Sequence, residues 1–388
     1  MSKEFIKMIS ELHTERFNVH MTDLANKQTP CGIFFGFEVV PSNVVNHVKW
    51  LRDRNINLSF VIVRTDEQII ALKNLIDVPI ITLEDIPRFV DEYSSVKPQE
   101  IFIRVFQDLP FAPYFIRQDM EVFTYSDDGQ FLFMMKHLPE LYNVYEMLGS
   151  EESKKVFCAA IKGRLTAKVS DYRFAPETQY FLEGFTPSAG DIAIDGGAYD
   201  GGTAIAFAKC GAKVFAFEMD AVNYKKCMAR LERFGEGDNI ILENLGLSNK
   251  EGEEKYFSWN TASRKNASGN LTAKFIDLDT YVARKNLPRV DYIKLDIEGA
   301  ELEMLYGAAK TITRYKPKMA VSAYHRPEDL WTLATYVKSL RSDYEFEFRH
   351  YRIDYNDYKL NDEERAILRY FGLNCFSPTN CEMVLYCR

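Results

Sequence analysis

Residues 191–220 read DIAIDGGAYDGGTAIAFAKCGAKVFAFEMD. Ile192 to Ile194 is a short apolar strand. Asp195 to Gly202 is a turn that carries Gly196, Gly197, Gly201 and Gly202. Thr203 to Lys209 is small and apolar, as suits a helix lying on a sheet, and Gly211 stands where a helix-terminating glycine belongs. Val214 to Phe217 is a second buried strand, with Glu218 at its carboxyl end. Strand, glycine turn, helix and strand make a nucleotide-binding unit. Glycines let a ligand approach the backbone, the helix start offers free N–H groups, and ligands of open α/β sheets bind beyond the carboxyl ends of the strands. A carboxylate at Glu218 is placed to accept both ribose hydroxyls.

The spacing selects the nucleotide. A dinucleotide fold uses G-x-G-x-x-G, with the pyrophosphate at the helix start. Here the pattern is D-x-G-x-x-x-G, through Asp195, Gly197 and Gly201. A carboxylate at the strand tip repels a pyrophosphate but suits the ammonium of an amino acid. S-adenosylmethionine (SAM) is favoured over NAD. The expected cofactor contacts are Asp195, Gly196, Gly197, Ala198, Tyr199, Gly201, Glu218 and Met219.

Composition narrows the class. The chain has 388 residues, enough for two domains, and a net charge of −8 that disfavours a nucleic-acid partner. No apolar run approaches a membrane span, and the first residues, MSKEFIKMISELHTERF, lack a signal-peptide core. Seven scattered cysteines without C-x-x-C read as reduced thiols, so a cytoplasmic protein is expected.

Outward from the central stretch, strands and helices alternate, which implies parallel β-α-β units. Towards the N-terminus, strands are expected at 31–37, 58–63, 78–82 and 100–105, with helices at 2–26, 41–54, 65–75 and 83–93. Residues 1–126 therefore form an α/β domain of degenerate Rossmann-like type. No phosphate-cradling glycines follow its first strand, so a docking, oligomerisation or substrate role is expected. Residues 127–170 read as a helical connector. Tyr172, Tyr180 and Phe181, in an aromatic stretch, are candidates for an acceptor-site wall against a plainer role in packing.

Towards the C-terminus, strands are expected at 239–244, 290–295, 317–323, 344–351 and 382–387, with a hairpin arm after 245. A single helix is expected over 301–315, and a polar, mobile loop over 259–272. Asp277 and Asp279 read as helix-start carboxylates, Lys294 as a salt-bridge residue. Seven strands ending in a hairpin is the plan of a class I methyltransferase, assigned to residues 171–388.

The segments IAIDGGAYDGGT, VFAFEMD, VDYIKLDIEGAELEMLYGA, KPKMAVSAYH and FEFRHY together resemble the FkbM-type methyltransferase family. That resemblance implies SAM as cofactor and O-methylation of a hydroxyl on a sugar, glycan precursor or natural-product scaffold. A nicotinamide oxidoreductase and a catalytically silent SAM-binding scaffold are the alternatives.

A sugar hydroxyl is a weak nucleophile, so a base helps. His325, which follows the fifth strand, is the first choice because imidazole titrates near neutrality. Asp296, after the fourth strand, could be the base itself, orient His325 or touch the methionine end of SAM, against a plainer role as a helix cap. Glu298, Tyr324 and Arg326 are expected to touch the acceptor. Arg349, His350 and Arg352 form a basic cluster: either a solvated face or a contact for an anionic acceptor such as a nucleotide sugar or sugar phosphate. Asp296, Glu298 and His325 have ligand chemistry for a metal, but spacing alone does not bring them together, and none is expected.

Overall fold

The computed structural model describes residues 2–37, 39–87, 98–234, 239–258, 263–354, 360–373, 376–377 and 382–388. They fall into two compact units. One comprises Met1–Leu138, Lys155–Phe174 and Arg352–Asn380; the other comprises Pro139–Lys154, Ala175–Tyr351 and Cys381–Arg388.

The first unit holds a five-stranded parallel sheet. Its strands are β1 (Cys31–Phe34), β2 (Leu58–Val63), β3 (Ile80–Thr82), β4 (Glu100–Ile103) and β5 (Glu121–Phe123), in the order β3-β2-β1-β4-β5. Apolar side chains such as Ile33, Val61 and Phe102 pack against Val44, Val48 and Leu51 of the helix Pro41–Arg52. Pro41 opens that helix at a position where its missing N–H costs nothing. The turn after β1 is closed from within: the buried Asp108 carboxylate accepts hydrogen bonds from Gly36 N and Phe37 N, both at 2.9 Å. Most of the expected helix 83–93 lies outside the described residues; its start is a short turn, Leu83–Asp85.

The second unit is built on seven strands. They are β6 (Ile192–Gly196), β7 (Lys213–Phe217), β8 (Ile240–Glu243), β13 (Tyr292–Leu295), β14 (Lys318–Ser322), β15 (Phe346–His350) and β16 (Met383–Cys387). Their order is β15-β16-β14-β13-β6-β7-β8, with β16 antiparallel to both neighbours and the other pairs parallel. This is the expected class I methyltransferase sheet with its terminal hairpin. Strand order reverses between β6 and β13, so the switch point lies where Gly196 meets Asp296, whose N–H donates to Gly196 O at 3.1 Å.

Residues 263–272 are not the loop expected. A second sheet of β9 (Gly246–Ser248), β10 (Gly252–Phe257), β11 (Arg264–Lys265) and β12 (Leu271–Asp277) runs in the order β11-β10-β12-β9. The segment is polar because it is exposed: β11 is the sheet's edge against β10, a turn follows, and β12 begins on the other side of β10. Trp259 to Ala262 lie outside the described residues. The expected helix over 301–315 divides into Glu301–Gly307 and Ala309–Tyr315. A Cβ on Gly307 would come within 2.2 Å of Ser248 O, so the break lets the chain pass β9. Asp277 caps its own helix through Thr280 N, while Asp279 receives Lys310 N and Thr311 N at the start of the second half-helix.

Candidate active site

The glycine turn is shaped by its neighbours. Gly197 has φ +79°, and a Cβ there would stand 1.8 Å from Asp296 O. Gly197 N and Ala198 N both donate to Phe217 O, which fixes the turn across the end of β7. Tyr199 is held in the left-handed region at φ +51°, and its N–H donates to Glu218 Oε2 at 2.9 Å. Asp220 N donates to the other Glu218 oxygen at 2.8 Å. Gly201, at φ +83°, precedes the helix Gly202–Lys209. Met219 packs beside Tyr256, Ala273 and Phe275 of the second sheet.

Glu218 is buried, and burial pushes its carboxyl up to about 7, against the pull of the Asp220 and Tyr199 N–H groups. Each carboxylate oxygen keeps a free lone pair, the acceptor set a ribose diol requires. Asp195 is sealed from solvent, and the Lys294 ammonium lies 3.0 Å from its Oδ1. The two are partners by register, since Lys294 pairs with Asp195 across β13 and β6. Lys294 Nζ also donates to Gly197 O at 2.8 Å. Asp195 therefore stands behind the turn, anchored to a cation of the chain.

Beside this turn lies a second cluster. Asp296 Oδ2 accepts the Tyr180 hydroxyl at 2.9 Å, and Oδ1 accepts the Tyr324 hydroxyl at 3.2 Å. His325 Nε2 faces Asp296 at 3.5 Å and Glu298 at 3.6 Å, while Nδ1 lies 2.9 Å from Glu301 Oε1. Burial raises the cost of ionising Asp296, but Lys294, His325 and the hydroxyls of Tyr180 and Ser322 hold its carboxyl low. Burial likewise opposes charge on His325, yet Glu301, Asp296 and Glu298 outweigh it and push the imidazole up to about 10. Burial pushes the neighbouring Glu298 up to about 7.

The structure thus brings Asp296, Glu298, Tyr324 and His325 together. It adds Tyr180 and two residues that sequence reasoning missed. Glu301 is fully buried and also accepts Ile297 N at 2.9 Å. Glu382 lies 3.5 Å from the Tyr324 hydroxyl, and burial pushes it up to about 7. Glu301 stands in the quoted DIEGAE run, so a signal was present; Glu382 sits just before the last strand with none. Glu298 (φ +57°) and Gly299 (φ +95°) turn the chain so that Glu301 comes back under the imidazole.

Arg349 and His350 do not form the expected basic face. Both are buried; Arg349 is held by Ser153, Glu347 and Glu177. Arg352 belongs to the first unit, over the Phe174 ring, and so does Tyr172. Phe181 packs on Phe207.

A cavity of about 310 Å³ opens next to Glu298. Its wall includes Gly299, Arg326, Glu303 and, from the second sheet, Glu254, Lys255 and Lys265.

Residues 195–372 match the model of the methyltransferase FkbM domain. The chain carries an FkbM methyltransferase domain. The methyltransferase FkbM structure from Methylobacillus flagellatus matches with a TM-score of 0.66 and 18% identity, covering 99% of this chain and 98% of that one, which shows a shared fold. A curated relative, the hexuronic acid methyltransferase AglP of Haloferax volcanii, is 27% identical over 115 residues, 29% of this chain and 47% of that protein. The chain thus matches about half the length of this relative. The FkbM domain takes its methyl group from SAM, and the donor set agrees: a buried carboxylate with spare lone pairs at Glu218, and a turn with no room for a side chain at Gly197. When bound, SAM supplies an electrophilic methyl on a sulfonium. Among the described residues no helix is long and apolar enough to cross a membrane.

Proposed function

We propose that the chain is an O-methyltransferase that moves the methyl group of SAM to a hydroxyl of a sugar or glycan precursor. The observation that carries this reading is the junction at the switch point. Gly197 of the cofactor turn abuts Asp296, and Asp296, Glu298 and His325 face one another directly beside it. Two bound molecules held at such a junction gain most of their rate from orientation. The name of the Haloferax relative supports a sugar acceptor.

The residues divide the work. Glu218 accepts the ribose hydroxyls, and Gly197, Ala198 and Tyr199 line the amino-acid part. Asp195, tied to Lys294, backs the turn from behind, and the Lys294 ammonium holds the Gly197 carbonyl. His325, among three carboxylates, is a cation at neutral pH and donates from Nε2 to the acceptor oxygen. Glu298, poised near pH 7, takes the hydroxyl proton; a base works best when its pKa lies near the working pH. Tyr180 and Tyr324 fix Asp296, which holds the imidazole in place. The expectation that His325 itself is the base thus shifts to Glu298, because the carboxylates around the imidazole keep it protonated.

The experiment is titration with S-adenosylhomocysteine, followed by transfer assays on a panel of sugars. Binding of the nucleoside and methylation of a sugar oxygen support the reading. Absence of S-adenosylhomocysteine binding, or methylation only at nitrogen or carbon, overturns it.

A further inference from the structure

The cavity beside Glu298 has an uneven charge ledger. Lys265 is consumed internally: its ammonium lies 2.7 Å from both Glu254 and Glu303. Glu298 is engaged by His325 and Arg264, each at 3.6 Å. Two cations on the wall remain. Among the described residues, the Arg326 side chain makes no hydrogen bond and no ion pair, although its backbone N–H is tied to Asp329. The Lys255 side chain makes none among them either; its carbonyl accepts from Asn266 N. Both side chains are exposed to the cavity and to solvent. In a chain with 56 acidic and 48 basic residues, two unpaired cations on one cavity wall are not explained by packing.

Geometry holds Arg326 there. It follows His325 directly, and its Nε stands 3.2 Å from where a Cβ of Gly299 would be. Gly299, lacking a side chain, leaves the guanidinium lying across the same turn that presents Glu298. Arg326 and Glu298 thus line the same cavity, one on each side of Gly299. The guanidinium is a planar fork that suits an oxyanion, and it binds carboxylate or phosphate in two-pronged fashion.

We propose that this cavity is the acceptor subsite and that Arg326, helped by Lys255, reads an oxyanion on the acceptor, making the substrate an acidic sugar. The proposal rests on the methyltransferase reading and names the substrate class of that site. It places the anion contact, one of two readings of the Arg349, His350 and Arg352 cluster, in the loop after β14, at a residue already expected to touch the acceptor. A neutral sugar leaves the Arg326 charge without a partner and binds more weakly.

The test uses the full chain saturated with S-adenosylhomocysteine. Three probes are titrated: methyl glucuronide, glucose 1-phosphate and the neutral methyl glucoside. The expected result is binding of at least one acidic probe about tenfold tighter than the neutral one, since charge-assisted contacts are the stronger class. Which acidic probe wins tells carboxylate from phosphate. Arg326→Gln and Lys255→Gln are expected to erase the preference while leaving S-adenosylhomocysteine affinity unchanged. Equal binding of acidic and neutral probes overturns the proposal. So does a preference that survives Arg326→Gln, or failure of both acidic probes to bind to protein that binds S-adenosylhomocysteine. Failure of wild-type protein to bind S-adenosylhomocysteine overturns instead the methyltransferase reading on which the proposal stands.

Discussion

Glu301 Oε1 lies 2.9 Å from His325 Nδ1, and the Glu301 side chain is fully shielded from water. A buried carboxylate in this position fixes which imidazole nitrogen faces Asp296 and Glu298. It also stabilises the cation, so the pair acts as a unit.

Removing one partner of a buried ion pair costs about 3–5 kcal/mol, because the other charge stays buried and alone. His325→Ala therefore lowers stability at neutral pH by an amount of that order. The sign with pH is fixed. The folded pKa of His325 is raised to about 10 from an ordinary 6.5, so its contribution is complete below about pH 6.5 and fades as pH climbs to about 10. Urea denaturation at pH 7 and pH 10 measures this. The wild-type advantage over His325→Ala should narrow at the higher pH; a constant gap would contradict the assignment.

Glu301→Gln keeps volume and one acceptor but removes the charge that favours imidazolium. It is expected to lower kcat about 10- to 100-fold with little change in KM, the range over which outer partners of a reacting group act. A change confined to KM would place Glu301 in acceptor binding instead.

With Glu298 as base, kcat/KM rises through about pH 7 as the carboxyl ionises. Glu298→Gln should lose that limb and most of the rate. Should the limb persist in Glu298→Gln and vanish in His325→Gln, the base is His325.

Glu218 carries a carboxyl raised to about 7, and a ribose diol donates to its ionised form. Binding of S-adenosylhomocysteine should therefore release protons near neutrality and tighten as pH rises from 6 to 8. Calorimetry in buffers of different ionisation enthalpy reads the release directly. Glu218→Ala should weaken binding at least tenfold, since it deletes both acceptors, and should abolish the pH dependence; unchanged affinity would sink the role.

Gly197→Ala meets both a left-handed backbone and a carbonyl 1.8 Å from the new methyl. The turn must open to admit it. The expected result is loss of measurable S-adenosylhomocysteine binding with the circular-dichroism spectrum retained. Normal binding would mean that the turn is not the cofactor seat.

Much of this was legible in the residues. The run from Asp191 to Asp220 showed its strand, turn and second strand because apolar blocks and glycines alternate cleanly there, and Glu218 followed from position alone. What was hidden depends on contacts far apart in the chain. Lys294 meets Asp195 only through the register of β13 on β6. Glu301 reaches His325 only because two residues with positive φ fold the turn back. Arg349 and His350 looked like a charged face, but the neighbouring strands and Ser153 enclose them. The segment from Ser263 to Thr272 was too polar to read as strands, because the short edge strand β11 and the first residues of β12 bury little apolar surface.

The close approach of Gly197 to Asp296, where an added Cβ would stand 1.8 Å from Asp296 O, has a bearing on how such enzymes diversify. The methyl-donor side and the acceptor side of the junction share one backbone crossing, at Asp296 O. Neither wall can be displaced without dislodging the other, so the backbone there is a fixed jig. New acceptor preferences must come from pieces hung around it: the β10–β11 hairpin, Arg326 and the side chain at 298. Redesign of this enzyme for another acceptor should begin with those parts and leave the crossing untouched.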